Sequence, residues 1–65
     1  MEITVNGQSE CSGAATVLEL LVERENRPER VVVELNGEIV PSGQFAATSI
    51  AAGDRLEIVQ FVGGG

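Results

Sequence analysis

Histidine, lysine, tryptophan and tyrosine are missing from this chain, and cysteine occurs once. Each gap removes a class of chemistry. Without histidine no side chain titrates near neutrality unaided, so histidine triads and histidine general-base mechanisms are excluded. Without histidine and with one cysteine, the usual zinc ligand sets cannot be assembled. Cys11 cannot form an internal bridge, and an unpaired thiol suits a reducing compartment. The four bases are all arginines, so the chain cannot be built into lysine-linked polymers of itself. Aliphatic stretches such as Leu20 to Val22 and Val31 to Val33 fall far short of the roughly 20 residues of a membrane span. The Met-Glu-Ile-Thr-Val opening has no basic n-region or apolar h-region, so no export signal is visible and a cytoplasmic location is expected.

What is present is a chain of 65 residues with 43% hydrophobic content. That length allows one domain, and such a domain buries only about 60% of the surface its unfolded form exposes. With no disulfide or metal to help, apolar packing alone must hold it. Ten acids against four bases give a formal net charge of −6. A surface this acidic repels phosphate backbones, which argues against nucleic acid. It serves solubility, and it also steers encounter with a basic partner surface.

Met1, Ile3 and Val5 alternate with Glu2 and Thr4, the period-2 pattern of a half-buried strand. Asn6-Gly7 is a hairpin signal because both residues tolerate positive φ. A return strand is expected over about Gln8 to Cys11. A two-residue loop would set Glu10 opposite Ile3 on the core face, an unfavourable place for a carboxylate. A three-residue loop would set Cys11 there, and this register, with Cys11 as a small buried hydrophobe, is the one expected. Thr16 and Glu19 form a capping box at the head of a helix. Val17, Leu18, Leu20, Leu21 and Val22 make its apolar arc, with Glu19 and Glu23 opposite. Asn26-Arg27-Pro28 completes its stop. Val31 to Leu35 is the most β-prone run, and Asn36-Gly37 turns it into a short strand over Glu38 to Val40. Gln44 to Ile50 is weakly patterned, with one helical turn expected around Phe45. Ala52-Gly53-Asp54 is a turn, with Asp54 capping the backbone. Arg55 to Val62 reads as the last strand, and Gly63-Gly64-Gly65 ends the chain.

One amphipathic helix must cover one face of a small mixed sheet, and the helical crossover lets the first and last strands pair in parallel as central neighbours. The fold class is therefore α+β, a ubiquitin-like β-grasp over residues 1–62 followed by a flexible glycine tail over 63–65. No catalytic site is visible. Glu23 with Glu25 and Glu34 with Glu38 are the closest acid pairs in sequence, and a solvated face explains them better than acid–base chemistry. The tail is different. Three residues without side chains reach about 10 Å at roughly 3.3–3.6 Å each and can enter another protein's active site with the α-carboxylate leading. A merely frayed end competes with that reading. Beside the tail, Val59 and Phe61 fall on the sheet face opposite Leu56 and Ile58, and Val32 and Ile39 share it by the same alternation. With one helix only, that face is open, and an exposed apolar patch beside a tail is a docking surface. Irregular strand twist that buries Phe61 at the sheet end is the competing reading.

These residues resemble a known family. Met-Glu-Ile-Thr-Val-Asn-Gly, Thr16-Val17 with Glu19-Leu20-Leu21, the run from Val31 to Pro41 and the ending from Gly53 to Gly65 are similar to the ThiS family, the sulfur carriers of thiamine thiazole biosynthesis. The small subunit of molybdopterin synthase is a less close relative. ThiS proteins often carry a basic residue after the Val-Pro pair, where this chain has Ser42. The resemblance implies a carrier and not an enzyme, expected to be monomeric when free and to bind no cofactor itself. An E1-like adenylyltransferase (ThiF) would use ATP and magnesium to convert Gly65 to an acyl-adenylate. Sulfur from a cysteine desulfurase or another sulfide source would displace AMP, and the Gly65 thiocarboxylate would go to thiazole synthase (ThiG). Gly63 and Gly64 would thread the tail into both active sites. A carrier for another sulfur metabolite such as molybdopterin, or a protein modifier joined to targets through Gly65, are the alternatives.

Overall fold

The structure, a computed structural model, describes residues 1–61. Five strands and one helix follow in the order β1 (Glu2–Val5), β2 (Gln8–Cys11), α1 (Val17–Glu23), β3 (Val31–Leu35), β4 (Glu38–Val40) and β5 (Arg55–Gln60). Short 3₁₀ turns occupy Pro28–Arg30 and Ser42–Gln44. The sheet order is β2-β1-β5-β3-β4, with β1 and β5 parallel and the other neighbours antiparallel. This is the mixed sheet with one helix expected of a β-grasp, and the first and last strands are central neighbours.

Both hairpins turn on Asn-Gly. Asn6 and Gly7 have φ of 51° and 81°, and Asn36 and Gly37 have 53° and 89°. Positive φ at both central residues is the turn geometry whose twist matches that of the flanking strands. The first hairpin corrects the expected register. Its loop has two residues, so Ile3 pairs with Glu10 and Cys11 pairs with Glu2. Cys11 is exposed, not a buried hydrophobe. The carboxylate is tolerated opposite Ile3 because β2 is an edge strand: Glu10 lies only partly covered and reaches Arg24 at 2.7 Å. The arginine at the end of α1 supplies the partner whose absence from the local sequence made this register look costly.

Thr16 caps α1 as its pattern predicts, its Oγ1 accepting from the Glu19 amide at 3.2 Å. Glu19 reaches one residue further back than in a standard capping box, accepting from the Ala15 amide at 2.9 Å. Amides of Val17 and Leu18, which have no partner within the helix, donate to the carbonyls of Thr48 and Phe45. The segment after the second 3₁₀ turn is thereby tied to the helix. That turn ends just before Phe45, slightly earlier than expected, and leaves Phe45 buried. Val17, Leu20 and Leu21 are fully buried against Ile3, Val5, Val33 and Leu56 of the sheet. Val22 is not part of this packing and is 64% exposed. At about 100° per residue it points some 140° from Val17, beyond the roughly 100° stripe that faces a sheet.

The helix ends by reversing hand. Glu25 takes φ of 61°, its amide donates to the Val22 carbonyl, and the Asn26 amide donates to that of Leu21. Those bonds are the Schellman pattern, here with glutamate at a position where glycine is usual. Ser12, the one buried polar residue among those described, donates to Glu23 at 2.9 Å and accepts from the Ala14 amide at 3.0 Å. No described helix is long and apolar enough to cross a membrane.

Candidate functional site: an open sheet face beside the C-terminal strand

Strand alternation fixes what each face carries. Leu56 and Ile58 of β5 are buried under α1, while Arg55, Glu57 and Val59 point to the other side. No described element covers that side. Val32 lies directly opposite Val59, and Ile39 lies opposite Glu34. Val59 is 57% exposed, Ile39 68% and Phe61 54%. Val32, between strands, is half-buried. The four residues expected to form an apolar docking face are therefore on or beside one open surface. Phe61 is exposed and not folded into the sheet end. Its amide donates to the Arg30 carbonyl at 2.8 Å, which continues the β3–β5 ladder by one more bond.

The half of this face on β1 and β2 is polar. Glu2, Thr4, Ser9 and Cys11 lie there by register, and the Ser9 hydroxyl donates to Glu2 at 2.9 Å. The apolar part is thus confined to β5, β3 and β4, next to the end of the strand that leads into the glycines. Gly63, Gly64 and Gly65, expected to thread the tail and carry the modification, lie outside the described residues. So does Val62, placed in the last strand by its pattern; the strand itself ends at Gln60.

Two asparagines that the sequence shows only as turn residues hold β5 in position. Asn6 accepts from the Ile58 amide at 2.8 Å and donates to the Ile58 carbonyl at 3.2 Å, acting as one more peptide unit beyond the end of β1. Asn36 accepts from the Arg55 amide at 3.0 Å and donates to Asp54 at 3.1 Å. Asp54 also accepts from the Ala51 amide at 2.8 Å, the capping role expected of it. At the far end the Asn26 side chain donates to that of Gln60 at 2.6 Å. The strand that precedes the tail is fixed by side chains from both hairpin turns and from the end of the helix.

Neither acid pair singled out by nearness in sequence forms a site. Glu34 and Glu38 fall on opposite faces of their hairpin, since Glu38 pairs with Leu35. Glu23 accepts from Ser12, while Glu25 is exposed at the helix end. The acids that do meet are Glu34 and Glu57, directly opposed across β3 and β5. Only the register of two distant strands reveals them. No group of three residues able to hold a metal ion occurs among the described residues.

A family model of the ThiS family matches residues 3–65 of the chain. The sulfur carrier protein ThiS of Escherichia coli is 33% identical over the whole of both chains. A crystal structure of the thiamine biosynthesis protein ThiS from Geobacter metallireducens superimposes with a TM-score of 0.84 at 42% identity, again over the whole of both chains. A thiazole synthase of Paramagnetospirillum magneticum is 42% identical over the whole of this chain, which spans 20% of that protein's length.

Proposed function

The chain belongs to the ThiS family, and on that premise we propose that it is a sulfur carrier of thiamine biosynthesis, working through its C-terminal glycine. The match to a sulfur carrier over the full length of both chains is the observation that carries this reading. The open apolar face supports it physically. A carrier must be recognised by its enzymes while leaving its reacting end free, and Val32, Ile39, Val59 and Phe61 offer a docking surface beside the strand that leads to Gly65.

The chemistry follows from what the chain has and lacks. A carboxylate at neutral pH is a poor electrophile and must be activated. A ThiF-like adenylyltransferase would do this with ATP and magnesium: a Gly65 carboxylate oxygen attacks the α-phosphorus and pyrophosphate leaves. Sulfide derived from a cysteine desulfurase or another donor then attacks the acyl carbon, and AMP leaves with its bonding electrons. The Gly65 thiocarboxylate that remains is delivered to thiazole synthase. Gly63 and Gly64, lacking side chains, suit narrow channels in two different enzymes. Support for a ThiG partner comes from the thiazole synthase that carries a region like this chain within it. The carrier performs no catalysis, acts in the cytoplasm and is monomeric between encounters.

The test is intact-protein mass spectrometry after incubation with the adenylyltransferase of the same organism, ATP, magnesium and a sulfur donor. The expected result is exchange of one oxygen for sulfur at the C-terminus, abolished by deletion of Gly65 with the thermal unfolding midpoint unchanged. An unmodified mass, with the same enzyme active on another carrier, overturns the proposal. Higher-mass conjugates in cell extract favour a protein modifier instead.

A further inference from the structure

The open face carries a feature that apolar docking leaves unexplained. Glu34 and Glu57 are directly opposite one another across β3 and β5. Side chains so placed have Cβ atoms about 4.5–5.5 Å apart, and like charges there are destabilising. Among the described residues no arginine stands within 4 Å of either carboxylate. The one ion pair among the described residues, Glu10 with Arg24, lies elsewhere. Arg55 shares the face but stands within 4 Å of neither carboxylate. Glu34, Glu57, Arg55, Asn36 and Gly37 line a shallow depression of about 490 Å³. It abuts the apolar patch, since Ile39 is the other cross-strand neighbour of Glu34 and Val59 is next but one to Glu57.

We propose that this depression receives a cationic side chain, arginine or lysine, from the protein partner whose apolar residues cover Val32, Val59 and Ile39. The inference rests on the open face being the docking surface, and it adds the chemistry of the partner's contact. Charge complementarity selects the occupant. A second copy of this chain docking by the same patch would bring the acids of both copies together, a like-charge juxtaposition that suppresses such pairing. A partner cation removes the repulsion present in the free carrier and finds two acceptors already in place. The acids beside the patch would by the same repulsion discriminate against self-association.

The experiment measures KM and kcat for thiocarboxylate formation with the adenylyltransferase of the same organism, using the full chain and three variants. Glu34→Gln with Glu57→Gln should raise KM for the carrier about tenfold, leave kcat unchanged and keep the unfolding midpoint at or above that of the parent chain. Arg55→Gln, which removes a competing cation from the depression, should lower KM. Glu25→Gln with Glu29→Gln makes the same change in net charge at the exposed helix end and should move KM far less. Equal effects from the two double variants overturn the proposal, because general acidity then accounts for the association. Dimerisation of the parent chain in sedimentation, lost on substitution of Val59, overturns it as well. Failure of the parent chain to be modified at all defeats the carrier reading, and this proposal with it. A modified parent chain with an unaffected Glu34 and Glu57 variant defeats this proposal alone.

Discussion

Replacing Asn6 with glycine separates the two tasks of one side chain. Asn6 holds φ at 51° in the first turn and bonds both main-chain groups of Ile58, at 2.8 and 3.2 Å. Glycine adopts positive φ without steric cost, so Asn6→Gly keeps the turn and removes the clamp, while the relief of positive φ and the added entropy of the unfolded chain act in opposite directions and largely offset one another. A hydrogen bond contributes about 0.5–1.5 kcal/mol net, so the pair is worth about 1–3 kcal/mol. Asn6 is exposed, which lets water replace the lost partners and places the expected cost in the lower half of that range. For a domain of this size, 1 kcal/mol moves the melting temperature by about 4–8 °C. Asn6→Asp keeps the acceptor for the Ile58 amide but sets a carboxylate against the Ile58 carbonyl, so it should cost more than glycine does. Urea unfolding measures both, read as a shift in midpoint at constant slope. Hydrogen exchange at the Ile58 amide should accelerate in Asn6→Gly. A change below about 0.5 kcal/mol, the range of an ordinary surface substitution, would refute the clamp. So would unaltered exchange at Ile58.

Glu25→Gly should stabilise the protein by about 0.5–1 kcal/mol in urea unfolding, because a left-handed conformation costs an L-residue roughly 1–2 kcal/mol and the gain is partly offset by the entropy of unfolded glycine. Loss of stability would show that the glutamate side chain contributes at the helix end. Val59→Thr combined with Ile39→Thr keeps the β-branched shape on the open face, so stability should change by less than about 0.5 kcal/mol. The same variant should be modified poorly by the adenylyltransferase at limiting concentration. Full activity would remove these residues from the docking surface.

The parts of this fold legible in the sequence are those decided locally. Both Asn-Gly turns, the Thr16 cap, the strand from Val31 and the core parity of Leu56 and Ile58 follow from spacing and residue type alone. What was hidden depends on partners distant in the chain. The register of the first hairpin turned on Arg24, which makes Glu10 acceptable beside Ile3. Val22 belongs to the apolar residues of the helix by type but not by angle, and only the width of the contact with the sheet excludes it. The placement of Val32, Ile39, Val59 and Phe61 on or beside the open face was readable because alternation propagates along a strand. Glu34 and Glu57 were not, since their meeting requires the registry of β3 on β5. The asparagine clamps escaped for the same reason: a turn residue advertises its backbone, not the strand its side chain will reach.

Central placement of β5 has a mechanical consequence. A pull applied to the end of β5 along its own axis loads the strand in shear. Because β5 is paired with β3 on one side and held by β1 and Asn6 on the other, that load shears the cross-strand bonds together and cannot peel them away one at a time. An edge strand such as β2 or β4 would meet the same pull with the bonds of one neighbour and not two. The strand that precedes the C-terminal glycines is thus fastened at the point where its sheet best resists traction.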